Sequence, residues 1–518
     1  MSARPGRWSK RQGTGAVVLL LLAAGGVAAT AGMIFDGDGS DEPGFVPPPV
    51  RPKAPPPPPA NIAGGESYIP YPGPPVVPQS RSEKKRPPSP PVMFTKLTSP
   101  YGPIDWAARP NDLNNLLKSL KRMADVDFGC EAKSFAEIDP NPERNPILYR
   151  TGHFHFFLSE EERRKLRQYL LAGGMIILNP GMGSKPFYDS ARRELAAVFP
   201  EAPLRRLGAD HPIFHAYYEL DRVGYRKAVR DAGYRSDEPW LEGVTIDCRT
   251  VAVVSRWGLE IGWDPLEDES LLGYASDSAQ KLGMNLLAYA TAQRAWAKQA
   301  AHALQFVDPP GAAGGSRVQV AQVIYDGEWK TRQTGLSVLL QQFNRKTEIP
   351  VQFARQELRL SDRAIFDVPV LYLTGHEDFR LSAAEAGNLR QFLQNGGLLF
   401  AEACCGRQGF DRGLRRAIAQ ALPGRSLQAL PPEHALFALP QRLTRLAVTP
   451  ALAASAGNRS TLEPQILGLE LDGRLAVIYS PYGLAGGWEL AQNPYAFGYE
   501  DSAALALGQN ILMYALLP

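Results

Sequence analysis

The sequence predicts an α/β chain made of two tandem copies of one domain, each a largely parallel sheet between layers of helix. Three observations lead there. The stretches LYRTGHFHFFLSEEERRKLRQYLLAGGMIILN, from Leu148, and LYLTGHEDFRLSAAEAGNLRQFLQNGGLLFAE, from Leu371, share one register, with His153 and His376 both 223 residues from each other's place. From Leu148/Leu371 to Phe214/Phe437 about 25 of 67 aligned positions are identical with no gap, which marks a duplication. Repeats spaced this widely are whole domains, not turns of a solenoid. The runs ILY, MIIL, VLY and LLF lack polar alternation and therefore read as strands buried on both faces. Between the two strands of each copy lies a helix with a marked start, Ser159/Glu162 and Ser382/Glu385, and a marked end, Gly173-Gly174 and Gly396-Gly397. Strand, helix, strand at this spacing is a right-handed crossover in a parallel sheet.

In chain order, Arg4, Arg7, Lys10 and Arg11 precede an uncharged, mostly apolar run from Gly15 to Phe35, and Asp36, Asp38 and Asp41 follow it. This pattern keeps the basic side in the cytoplasm and sends the remainder out. The 21 residues of the run suffice for one span. Ala29-Thr30-Ala31 also fits a signal-peptidase site. Residues 1–36 are therefore expected to be a single-pass anchor, with a cleaved signal peptide and periplasmic release as the alternative. Residues 37–93 form a linker. Nineteen of the 46 prolines lie between Pro43 and Pro91, and such a stretch is an extended, semi-rigid spacer.

The first domain is expected over 94–298, a linker containing PPGAAGGS over 299–316, and the second domain over 317–518. Trp106 and Trp329 stand at matching positions, as do Leu113, Leu116 and Leu117 with Leu336, Leu339 and Leu340, so both copies open with a strand, a tryptophan loop and an amphipathic helix. After Phe214/Phe437 the copies diverge around Tyr225 to Trp240, then rejoin with Asp247/Asp472, Trp263/Trp488 and Tyr289/Tyr514. Asp472-Gly473 between apolar runs predicts a hairpin.

Composition narrows the function. With 44% apolar and 21% charged residues and a net charge of +3, the chain has no general affinity for nucleic acid. Its four cysteines make no disulfide framework, and no C-x-x-C or His/Cys run has metal-ligand spacing, so neither metal nor cofactor is expected. Cys130 and Cys248 are the one disulfide pairing open to the first copy. GMGSK at Gly181 to Lys185 is too short for a phosphate-binding loop.

The segments YDGEW (Tyr325 to Trp329), LYLTGH (Leu371 to His376), FRLS (Phe379 to Ser382), NGGLLFAEACCG (Asn395 to Gly406) and LAVIYSPYGLAGGW (Leu475 to Trp488) resemble a bacterial domain-of-unknown-function family. Its fold is similar to that of class I glutamine amidotransferases, a flavodoxin-like sandwich. The resemblance implies a fold and not a reaction. In amidotransferase-like domains a nucleophilic cysteine occupies a tight turn after a central strand. That turn here carries Cys404 and Cys405, while the first copy has Gly181 and Met182, which cannot be nucleophiles.

On this topology the crevice at the carboxyl ends of the strands gathers Asp326, Trp329, His376, Glu402, Cys404 and Cys405, with His434 a further candidate. Cys405 is the candidate nucleophile, and His376 and His434 compete as its base. The opposing observation is that both histidines have counterparts, His153 and His211, in the copy without cysteine. Asp326, Trp329, Glu402, Tyr482 and Trp488 are candidate ligand-binding residues, the aromatic ones for sugar or peptide. Two readings stand. One is a membrane-tethered extracytoplasmic binding or assembly protein whose domains pack as a pseudo-symmetric, two-fold pair and meet an envelope protein or carbohydrate. The other is a cysteine-dependent hydrolase or amidotransferase with only the second domain competent.

Overall fold

The central strands of the first domain are buried along their length, and its seven strands form one sheet. The computed structural model describes residues 92–124, 128–142, 145–300, 317–353, 356–490 and 493–517. The expected membrane segment at 1–36 lies outside them, as do almost all of the 37–93 linker and residues 301–316. Among the described residues no helix is long and apolar enough to cross a membrane.

The first domain contains β1 (Val92–Leu97), β2 (Phe128–Lys133), β3 (Ile147–Gly152), β4 (Met175–Pro180), β5 (Arg205–Arg206), β6 (Leu241–Ile246) and β7 (Arg249–Ser255), in the sheet order β2-β1-β3-β4-β7-β6-β5. The first five strands in that order are parallel, and β6 and β5 are antiparallel additions at the edge. The second domain contains β8 (Val320–Ile324), β9 (Gln356–Arg359), β10 (Val370–Gly375), β11 (Leu398–Ala403), β12 (Gln428–Ala429), β13 (Leu446–Ala447), β14 (Thr461–Leu462), β15 (Leu467–Leu471) and β16 (Arg474–Ser480). Its main sheet runs β12-β15-β16-β11-β10-β8-β9, the same order read from the other edge, with β13 and β14 paired apart. Both domains are thus mostly parallel α/β folds.

Side-chain alternation explains the two helical layers. In β3, Ile147 and Tyr149 face a core shared with Leu113, Leu116 and Leu282, while Leu148 faces one shared with Leu166, Leu170 and Leu195. A strand buried at every position, as β3 is, can only sit between two such layers. The crossover helices Glu160–Leu171 and Ala383–Gln394 start at capping boxes on Ser159 and Ser382, each hydroxyl accepting from the amide three residues on. They end where Gly173 and Gly396 take φ of 115° and 105°.

The copies differ where the sequence diverges. The first places the short helix Lys227–Asp231 there, and the second β13, the helix Pro450–Ser455 and β14. In both, the winding direction reverses between the first and third strands of the copy, β1/β3 and β8/β10. That reversal opens a crevice at the carboxyl ends of the strands, the place where open α/β sheets bind ligands.

Candidate functional site

Three loops leave the carboxyl edge of the second sheet side by side: Tyr325 to Trp329 after β8, His376 and Glu377 after β10, and Cys404 to Gly406 after β11. Glu328 and His376 meet at once. The imidazole Nδ1 donates to Glu328 Oε2 at 2.8 Å, which leaves Nε2 for the cysteines. At Cys404 and Cys405 the chain turns tightly, and Cys405 takes φ 55°, ψ 16°. Neighbouring side chains on a strand point apart, and this left-handed residue brings both thiols to one side, with the Sγ atoms 3.9 Å apart. Gly483 makes the turn possible, because a Cβ there would lie 2.8 Å from the Cys405 amide nitrogen. Met182 has φ 52° at the matching point of the first copy, so the left-handed turn belongs to the fold and the thiols alone are particular to the second domain.

The remaining member comes from the other domain. The β6–β7 hairpin turns at Asp247 and Cys248, with φ of 48° and 64°, and its tip enters the crevice of the second domain. Cys248 Sγ lies 3.2 Å from Cys404 Sγ and donates to Thr331 O at 3.1 Å. Asn493 Nδ2 donates to Cys248 O at 3.0 Å and holds the tip in place. Cys248, His376, Cys404 and Cys405 are only 6%, 7%, 2% and 8% exposed. Their donor atoms all lie within 4.8 Å of one another.

The surrounding contacts are as specific. Asp210 of the first domain forms an ion pair with Arg407 at 3.3 Å and accepts from the Gly409 amide at 3.2 Å. Arg205 pairs with Glu377 at 3.3 Å and reaches Asp326 at 3.6 Å. Tyr289 stacks on Tyr495 with ring centroids 5.7 Å apart, and Gln293 donates to Asn493 at 3.0 Å. The domains meet head to tail through unlike surfaces. In a two-fold arrangement Gly473, the counterpart of Cys248, would be inserted in the same way. The space where its side chain would stand is open.

Charge is concentrated here. Burial pushes the His376 imidazole down, but the Cys404 thiol and Glu328 outweigh burial and hold it up at about 9. Burial also raises the Glu328 carboxyl, and its bond to His376 more than offsets this, so Glu328 stays below its ordinary value. Hydrogen bonds from Cys248 and Cys404 hold the Cys405 thiol well below the usual thiol range, against burial and with help from Arg332 and Arg407. Burial pushes Cys248 far up. The three cysteines therefore titrate as one coupled group.

The residues singled out from the sequence scatter around this centre. His376, Cys404 and Cys405 come together as expected. His434 does not join them: its Nδ1 accepts from the Leu436 amide at 3.1 Å, and its ring packs on Phe437 and Tyr514. His211 does the same for Ile213 in the first copy, so these two histidines cap a turn. Asp326 is fully exposed at the rim. Trp329 is half-buried against the core below the β8 loop. Glu402 is not a member of the cluster: it accepts from the Leu484 and Ala485 amides and from Tyr372 Oη at 2.5 Å. Trp488 is wholly buried, its Nε1 donating to Ala504 O at 2.9 Å, so it lines no groove. Tyr482 packs at the edge of the same core. Cys130 lies on β2, and the thiol beside Cys248 belongs to Cys404, which corrects the Cys130–Cys248 pairing.

Spacing could not reveal the cluster, because Cys248 stands 156 residues before Cys404 in the chain. One signal was present: Asp247-Cys248 stands where the second copy has Asp472-Gly473, a non-glycine at a position that favours glycine. Chemically the arrangement offers a thiolate beside a histidine–carboxylate pair, a disulfide between domains, or four soft donors for a metal ion.

Residues 94–291 and 319–516 each match the family described as Domain of unknown function (DUF4159), and the chain belongs to it, in two tandem copies. No curated protein matches the chain.

Proposed function

We propose that this family member is a membrane-tethered extracytoplasmic assembly module, in which an amidotransferase-like, flavodoxin-like fold serves binding and not catalysis. The order 2-1-3-4-5 of the parallel strands supports the fold assignment. The basic, apolar and acidic order of the first 41 residues and the proline-rich spacer support tethering and export. A single observation carries the non-catalytic reading: Cys248 Sγ stands 3.2 Å from Cys404 Sγ, where an acyl group would have to approach. A nucleophile must be reached by its substrate, and here the neighbouring domain fills the space. The envelope partner, protein or carbohydrate, would meet surfaces other than this crevice.

The hydrolase reading retains one favourable observation, the Glu328–His376 pair within reach of Cys404, which has the geometry of a base held by a carboxylate. In it Cys404 faces His376 and takes the role expected of Cys405. Alkylation of the native full chain, followed site by site by mass spectrometry, separates the two readings. The assembly reading expects Cys404 and Cys405 to be modified only after denaturation. Modification of the native chain that slows in His376→Ala would replace it with the hydrolase.

A further inference from the structure

We infer that Cys248, His376, Cys404 and Cys405 form a closed binding site for Zn2+ that joins the first domain to the second. This goes beyond the assembly reading and does not rest on it. The chain has four cysteines, and three of them meet at one buried point, one arriving from the other domain. Chance burial of small apolar side chains does not explain such convergence in 518 residues.

The distances suit the ion. Tetrahedral Zn2+ with bonds of about 2.3 Å to sulfur and about 2.0–2.1 Å to nitrogen has ligand-to-ligand edges of roughly 3.5–3.8 Å. The Sγ pairs stand at 3.2 and 3.9 Å, and all four donors lie within 4.8 Å, so shifts of a few tenths of an ångström to about one complete the tetrahedron. Three thiolates and one imidazole are a donor set of structural zinc sites, and four protein ligands leave no place for water. The outer contacts fit as well: Glu328 fixes the His376 ring through Nδ1, the carboxylate–histidine–metal arrangement. Three thiolates on a dication leave one negative charge, with the Arg332 and Arg407 guanidiniums beside it.

The backbone gives an independent indication. Cys248 holds φ 64° at the hairpin position where the second copy has Gly473 at φ 80°. A side chain in that conformation is strained, and residues are kept in such conformations where the site needs them. A Cys248–Cys404 disulfide alone would leave Cys405 and His376 without a role. Loading replaces thiol protons by the metal, including the one Cys248 shares with Thr331 O, and involves no redox step.

The test uses the full chain, solubilised in detergent under a phosphine reductant, analysed for bound metals and then, after chelation, titrated with Zn2+ and Co2+. The expected result is one Zn2+ per chain, and for Co2+ the intense visible bands and near-ultraviolet thiolate charge-transfer band of a tetrahedral site. Glu328→Gln should weaken Zn2+ about 10- to 100-fold at unchanged stoichiometry. Cys248→Ser should weaken it at least that much, and Cys130→Ser should have no effect. Circular dichroism confirms that each variant folds, and where Cys248→Ser does not, the Co2+ spectrum of the unsubstituted chain decides. A folded, reduced chain with no thiolate charge-transfer band overturns the inference. So does a Cys248–Cys404 disulfide found in the chain as isolated from cells.

Discussion

Asn179 and Glu402 occupy the same point in their two sheets, and each accepts the amide of the residue that opens a short helix, Leu259 or Leu484. Beside Asn179 the carboxylate comes from the helix instead, as Glu260, whose side chain bonds Asn179 Nδ2. Beside Glu402 the matching helix residue is Ala485. Each domain thus buries one carboxylate at one place, supplied from opposite sides. Burial lifts the Glu402 carboxyl to about 7, and it raises Glu260 too.

Exchange of these roles should succeed only as a pair. Glu402→Asn alone removes acceptor capacity from buried amides and should cost about 1–3 kcal/mol. Glu402→Asn with Ala485→Glu should recover most of it. Urea denaturation followed in the second domain measures the coupling, and additive losses would show the sites to be independent.

His211 predicts an acid-sensitive stability. Burial holds its imidazole well below the ordinary 6.5, with Arg407, His376 and His215 acting in the same direction. Its contribution is therefore complete above pH 6.5 and declines as the pH falls toward the depressed value. His211→Asn keeps a capping acceptor for the Ile213 amide and removes the titration. The variant's stability curve should be flatter than that of the native chain below pH 6.5.

Asp210 acts lower on the scale. Burial raises its carboxyl, but Arg407 and the Gly409 amide outweigh burial and hold it below 3.8. Its stabilisation is present above that value and is lost as the pH falls below it. Asp210→Asn should weaken domain association at pH 7 and remove the steep loss below pH 4, read as the separation of the two unfolding transitions in calorimetry.

Asn493 links Gln293 Nε2 to Cys248 O across the interface. Asn493→Ala strands both partners in a buried place, at a cost of about 1–3 kcal/mol. Hydrogen exchange should show the Asp247–Cys248 tip opening faster, with the amides of β3 and β4 unchanged.

The crossover helices should respond alike in both copies. Ser159→Ala and Ser382→Ala each remove a hydroxyl that accepts a helix N-terminal amide at 3.2 Å. Each should cost about 1 kcal/mol of its own domain's stability.

Much of this fold was legible in the sequence because its signals are local. Capping boxes, diglycine ends and fully apolar strands lie within a few residues of what they determine, and the second copy confirmed each of them. The Cys404-Cys405 turn was legible for the same reason. His434 misled because the sequence shows an imidazole but does not show its ring turned toward its own Leu436 amide. Trp488 misled because an aromatic suited to a ligand is equally suited to a core. Glu328 and Cys248 were invisible as partners of His376 and Cys404, since their meeting depends on adjacent loops of one sheet and on how the two domains dock.

The two sides of the cysteine cluster are also separated in time. Cys248 leaves the ribosome 156 residues ahead of Cys404, and domains fold in the order they are made. Until the second sheet closes, the hairpin tip of the first presents a thiol with no neighbour to share its proton. Completion of the cluster therefore marks the moment at which the second domain is in place. A chain that stops short would carry a bare thiol at its leading edge, open to oxidation or capture, and so be distinguishable from a finished one.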